Sequence, residues 1–344
     1  MIYKNILDMV GNTRMLDLSQ LGNNPNVKIY AKTEGDNPGG SIKDRPVKAM
    51  ILDAIKSGNL TKDKTIIEAT SGNTGIAVAL IGAALGYKVV LVMSDAVSVE
   101  RQKLIQAYGA KIVFTPGEFG TDGAIRKARE MVSQNPDMYY YPDQFSNPNN
   151  PLSHRATANE IWKQTKGKIT HFVCAVGTGG TIMGVGKRLK QLNPNIKIIE
   201  AQPFPKHKIQ GLKNMTEAIV PQIYSATGAD ERIYIKDEDA FAMSRKLANI
   251  GLLVGMSSGA AMHVALEAIK NKSIVDPKTE SVIVTILPDG GMKYLSTTLY
   301  EQDKATTYDN NYEQCPNLYD RHELKSFSRG YLCSSEDEIA GSGN

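Results

Sequence analysis

At 344 residues, with 41% hydrophobic and 22% charged side chains, the chain is long enough for two cores and has the composition of an ordinary globular protein. Its net charge of +4 comes from scattered lysines and arginines with no basic-aromatic strip, which excludes nucleic acid as the main partner. The most apolar run, residues 76–85, is too short and too rich in glycine and alanine to cross a bilayer, and the opening MIYKNILDMVGNT lacks the basic-then-apolar order of a leader, so the expected location is cytoplasmic.

The first organised stretch is NPGGSIKDR, residues 37–45. It closes a turn-forming run and opens a helix, because Pro46 suits a first helical turn and Val47, Met50, Ile51, Ala54 and Ile55 recur at helical spacing. Lys43 therefore stands where loop becomes helix, beside glycines that let backbone approach a ligand and near amide N–H groups that favour an anion. A lysine there with a depressed pKa can form an imine; taken alone, the stretch equally fits a solvated surface lysine.

Short β-branched runs then alternate with helical ones. Strands are expected at residues 65–69, 88–93 and 112–114, and helices at 76–85, 99–108 and 123–134. This order implies a parallel sheet covered on both faces. The run SNPNNP, residues 146–151, marks a boundary. A second series follows, with helices at 154–164, 181–192, 237–250 and 257–269 and strands at 171–176, 196–201 and 281–287. The expected organisation is α/β, two doubly wound parallel-sheet domains. Residues 1–45 are shared between them, 46–150 form a smaller mobile domain, 151–300 a larger one and 301–344 a flexible polar tail.

Three cysteines are too few for a disulfide framework, and Cys174, in an apolar run, reads as a core residue. Cys315, His322 and Cys333 match no compact zinc spacing, so no metal is expected.

Three glycine-rich turns carry chemistry or caps. TSGNTG, residues 70–75, lies between a strand and a helix and offers hydroxyls, an amide and backbone N–H groups to a carboxylate; a plain cap would need only one such residue. GTGGT, residues 177–181, follows an apolar strand. It is neither a Walker loop nor a dinucleotide fingerprint, because Ile182 fills the third glycine position, and it suits one phosphate monoester or a structural turn. GMSSGA, residues 255–260, reads as an N-cap. An imine-capable lysine, an anion cradle and a monophosphate cup together suggest pyridoxal 5'-phosphate.

The order NPGGSIKDR, TSGNTG, GTGGT, GMSSGA and KYLST resembles the cysteine synthase family of pyridoxal-phosphate enzymes of fold type II over residues 4–300. The resemblance implies that Lys43 holds the cofactor and moves the substrate's α-proton, and that Asn73 bonds the ring hydroxyl. Gly177, Thr178, Gly179, Gly180 and Thr181 would hold the phosphate, and Ser257 would face the pyridine nitrogen. Thr70, Ser71, Thr74 and Gln144 would bind the substrate carboxylate. The implied reaction is β-replacement on O-phosphoserine or O-acetylserine through an α-aminoacrylate, with sulfide, thiosulfate or a thiocarboxylated carrier protein as sulfur source and L-cysteine as product. Relatives are usually homodimers.

The segment QPFPKHKIQGLKNMTEAIVPQIY lacks the longer glycine-rich insertion of common O-acetylserine enzymes. It is more similar to the branch that takes O-phosphoserine, with Lys213 where that branch has an arginine, so Lys213 is expected to neutralise a phosphate leaving group. Arg14 and Ala69 stand where relatives carry proline. The same frame also serves cystathionine, diaminopropionate, dehydratase and desulfhydrase chemistry, and a non-catalytic binding module is the alternative from another class.

Overall fold

The computed structural model describes residues 2–70 and 72–301. Ser71 and residues 302–344, with Cys315, His322 and Cys333, lie outside the described residues.

In chain order the elements are β1 (Met15–Asp17), β2 (Val27–Thr33), α1 (Asp44–Lys56), β3 (Thr65–Ala69), α2 (Asn73–Leu85), β4 (Lys88–Ser94), α3 (Val99–Ala107), β5 (Lys111–Thr115) and α4 (Gly120–Gln134). They continue with β6 (Tyr139–Tyr140), α5 (Asn149–Gln164), β7 (His171–Ala175), α6 (Gly180–Leu192), β8 (Lys197–Pro203), β9 (Glu231–Ile235), α7 (Asp237–Asn249), α8 (Met256–Lys270) and β10 (Ser281–Leu287). They form a six-stranded sheet ordered β1-β2-β10-β7-β8-β9 and a four-stranded sheet ordered β5-β4-β3-β6. Every pairing is parallel except β1 with β2.

The burial patterns explain the architecture. In β3, β7 and β10 nearly every side chain is buried, as strands covered on both faces require. The helix α2, apolar all round, is buried along most of its length against α1 and the smaller sheet, so it needs no polar stripe. The proline-asparagine run at the expected boundary is where α5 starts: Asn147 Oδ1 accepts the Asn149 N–H at 2.9 Å and Pro151 lies in the first turn, which needs no intrahelical donor.

Four strands go beyond the expected set. β1, β6 and β9 are edge strands, two of them only two or three residues long, and carry little periodic signal. β2, VKIYAKT, hides its nature because a lysine, Lys32, occupies a fully buried position.

That lysine belongs to a buried charge network. Lys32 Nζ meets Glu160 Oε2 at 2.9 Å and donates to the Thr13 carbonyl at 2.8 Å. Arg45 Nε meets Glu34 Oε2 at 2.7 Å, Arg45 Nη1 meets Glu160 Oε1 at 2.7 Å, and Asn37 Nδ2 donates to Glu34 Oε2 at 2.8 Å. β2, the 34–45 turn, α1 and α5 are thereby pinned at one point. Burial alone would raise the Glu160 carboxyl, but Arg45 and Lys32 hold it down at about 2.

Removing one partner of such a network strands a buried charge. Arg45→Ala is expected to destabilise the fold by about 3–5 kcal/mol in urea unfolding followed by circular dichroism. Because Glu160 is depressed in the fold, its contribution is present above the ordinary carboxylate range and is lost as pH falls through about 2, so acid unfolding should shift to higher pH in Glu160→Gln.

Candidate active site

The C-terminal ends of parallel strands from both sheets face one cleft, the position that open α/β sheets offer to ligands. Counted out to open solvent, the space within it is about 880 Å³.

Lys43 reaches the cleft from the turn that opens α1. The turn is held by Asp44, whose carboxylate accepts the Gly39 N–H, and by Lys293, whose Nζ donates to the Gly40 carbonyl at 2.6 Å. Burial pushes the Asp44 carboxyl up to about 6. Burial also lowers the Lys43 pKa, against opposing pulls from Asp289 and Cys174. The amine is thus biased towards its neutral, nucleophilic form. Cys174, expected only as a core residue, also lines the cleft; burial raises its thiol to about 12, so it stays protonated.

The turn after β7 forms a cup. Gly177, Thr178, Gly179 and Thr181 line the cleft, and Gly180 begins α6. A Cβ on Gly177 would overlap the Gly211 carbonyl and one on Gly180 would overlap Asn150 Oδ1, so both positions are closed to any side chain. Asn150 Nδ2 donates to the Gln144 carbonyl at 2.7 Å and to Thr178 Oγ1 at 3.3 Å. Behind Thr181, His154 Nε2 lies 3.3 Å from Thr181 Oγ1, and burial keeps this histidine's pKa well below its usual value, hence neutral. The sequence reading missed Asn150 and His154; their asparagine-rich, helix-opening context looked merely structural.

On the opposite wall, Thr74 Oγ1 donates to Gln144 Oε1 at 2.7 Å, and Gln144 Nε2 donates to the Ala69 carbonyl at 3.0 Å. Both residues line the cleft. Thr70 stands behind the turn, its hydroxyl accepting the N–H groups of Gly72 at 2.9 Å and Gly75 at 3.1 Å. Asn73 lines the cleft at the start of α2; its Nδ2 donates to Asp289 Oδ2 at 2.7 Å, while its Oδ1 is buried without a partner. Asp289 also accepts from Tyr294 at 2.8 Å. Ser257 lines the cleft at the first turn of α8.

Lys213 lines the cleft as well, but not as a lone cation: its Nζ lies 2.8 Å from Asp122 Oδ1. Arg101, missed from sequence, is almost fully buried along the cleft wall, with its guanidinium 4.3 Å from the Tyr294 ring centroid and its Nη1 donating to Ser98 Oγ and Gln210 Oε1.

These residues fit pyridoxal 5'-phosphate. The cup is closed to side chains and lined by two threonines, the orphaned Asn73 Oδ1 marks a polar position awaiting a partner, and a lysine of lowered pKa stands in the same cleft. Among the described residues no group of three or more His, Cys, Asp or Glu could hold a metal ion, and no helix is long and apolar enough to cross a membrane.

Comparison with known proteins agrees with this fit. The family model described as pyridoxal-phosphate dependent enzyme matches residues 6–289. A cysteine synthase of Aquifex aeolicus is 48% identical over 301 residues, 86% of this chain and 91% of that protein. A crystal structure of cysteine synthase from Entamoeba histolytica superposes with a TM-score of 0.81 at 39% identity, covering 89% of this chain and 93% of the other. An O-acetylserine dependent cystathionine β-synthase from Helicobacter pylori superposes with a TM-score of 0.81 at 37% identity, covering 88% and 100%.

The steric closure at Gly177 is directly testable. Overpacking of this kind costs about 1–3 kcal/mol, so Gly177→Ala should weaken pyridoxal-phosphate binding roughly fivefold to more than a hundredfold in a fluorescence titration of apoprotein. Unchanged affinity would place the phosphate elsewhere.

Proposed function

Because the chain belongs to the pyridoxal-phosphate-dependent enzyme family, we propose that it makes L-cysteine by β-replacement, exchanging the oxygen substituent of an O-activated L-serine for a sulfur nucleophile. The observation that carries this reading is the convergence of Lys43, the Gly177–Thr181 cup and the Thr74–Gln144 pair on a single cleft.

Bound there, the cofactor supplies the electron sink that makes the substrate's α-proton acidic and its β-substituent a leaving group. The chain's own residues do the rest. Lys43 would hold the cofactor in the resting state and would take the substrate's α-proton, a role suited to an amine whose pKa burial lowers. Gly177, Thr178, Gly179, Gly180 and Thr181 would hold the phosphate at the start of α6, and Thr181 is steadied by neutral His154. Asn73, whose Oδ1 is buried without a partner, would meet the ring hydroxyl. Ser257, which lines the cleft, would offer the ring nitrogen a neutral hydroxyl, a weaker electron sink that would favour departure of a β-group over transamination.

Thr74 and Gln144, with Thr70 and Ser71, form the assigned carboxylate site. The hydrogen bond from Thr74 to Gln144 fixes the direction of the amide, and the N-terminus of α2 adds positive potential. Residues 46–150, which carry the four-stranded sheet, are the smaller, mobile domain of this reading. Sulfide, thiosulfate or a thiocarboxylated carrier protein supplies the sulfur, and the protein works as a cytoplasmic homodimer.

The test is L-cysteine formation from O-acetylserine or O-phosphoserine and sulfide by the protein loaded with pyridoxal phosphate. Lys43→Ala is expected to lose the visible absorbance of the lysine-bound cofactor and roughly a hundred- to ten-thousand-fold of kcat, the usual worth of a positioned general base. A variant that keeps both would refute the assignment.

A further inference from the structure

Besides Lys43, two cations line the cleft among the described residues, and they differ in what holds them. Arg101 holds its guanidinium carbon 4.3 Å from the Tyr294 ring centroid, with Nη1 engaged by Ser98 and Gln210 and Nε buried without a partner. Lys213 stands at the mouth. Its backbone N–H donates to the Val176 carbonyl at 3.0 Å, immediately before the Gly177 cup, so its main chain is tethered to the cofactor side. Its side chain crosses the mouth, 5.3 Å from the Phe145 ring centroid, to Asp122 in the first turn of α4, packed on the smaller sheet. Asp122 is held in turn, its Oδ2 accepting the Ile219 N–H at 3.2 Å. The lysine is the more buried partner, at 10% side-chain exposure against 25% for the aspartate.

Resting on the β-replacement reading above, we infer that Asp122 is a specificity-determining residue: by occupying Lys213 it turns the mouth against a dianionic leaving group and towards an uncharged ester such as acetyl. A phosphate monoester carries close to two negative charges near neutrality. To reach Lys213 it must lie beside the Asp122 carboxylate or displace it from both Lys213 and Ile219, and like-charge juxtaposition in a partly buried site is costly. An ester carbonyl needs only one N–H, and an ammonium has three. The lysine that suggested a phosphate receptor from its sequence context is therefore a neutralised one.

The experiment compares kcat/KM for O-acetylserine and O-phosphoserine, with sulfide, in the holoenzyme and in Asp122→Asn, which keeps an acceptor for Ile219. The wild type should prefer O-acetylserine. In Asp122→Asn the phosphoserine-to-acetylserine ratio should rise about tenfold or more, mainly through KM, as expected when one negative charge beside a dianion is removed. The double variant Asp122→Asn, Lys213→Gln should lose that gain.

Isothermal titration of the holoenzymes with inorganic sulfate gives a readout independent of turnover: Asp122→Asn should bind sulfate more tightly, and the double variant should not. A wild type that prefers O-phosphoserine, a ratio unmoved by Asp122→Asn, or sulfate affinity indifferent to Asp122 would overturn the inference. A wild type that turns over neither donor would sink the β-replacement reading alone, with the sulfate titration still deciding the role of Asp122.

Discussion

The guanidinium of Arg45 sits two residues beyond Lys43 and is gripped by two carboxylates, Glu34 and Glu160, from different parts of the fold. Glu34 follows β2 in the larger sheet and Glu160 lies in α5. The start of α1 can therefore take only one place relative to the larger sheet. Lys43 inherits that precision, since a reactive amine on a loop is useful only if its backbone is fixed to within a fraction of an ångström. Lys32, buried in the same sheet, completes the charge balance through Glu160. The network is costly to desolvate, and its worth lies more in fixing geometry than in net stability.

The same economy of position recurs around the cleft. Gly177 and Gly180 are closed to side chains by Gly211 and Asn150, which brings main-chain donors to a ligand without intervening bulk. Asn150 itself links the cup to Gln144, and Gln144 links onward to Thr74 and Ala69. The 177–181 turn and the Thr74–Gln144 pair are thus linked through the buried amides of Asn150 and Gln144. Such a chain makes each site sensitive to the other's geometry, because an amide can satisfy its partners in only one orientation.

Electrostatics sorts the charged groups into roles. Burial biases Lys43 towards the neutral amine, keeps His154 neutral and keeps Cys174 protonated, which leaves Lys43 as the reactive member of that trio. At the mouth, Asp122 holds Lys213 between the two halves of the cleft. A cation that looks available in sequence can be paired in space.

Much of this was legible in the chain itself. The β-branched runs at β3, β4, β7 and β10 and the apolar α2 announced a parallel α/β fold, because strands and helices buried on all sides cannot hide their composition. The 37–45, 70–75 and 177–181 turns were readable as an imine-capable lysine, an anion cradle and a phosphate cup because each joins a strand to a helix, where backbone N–H groups face a ligand, whereas Asn73, Gln144 and Ser257 took their roles only from the family resemblance. Lys32 inside β2, the edge strands β1, β6 and β9, and the supporting Asn150, His154, Asp289 and Arg101 were not readable, since their roles come from partners distant in sequence. Asp122, 91 positions from Lys213, is the sharpest case. The sequence by itself determined the fold class and the chemistry of the cleft, because those follow from local patterns. Only the tertiary structure decided which charges are compensated, because an ion pair between remote residues leaves no local trace.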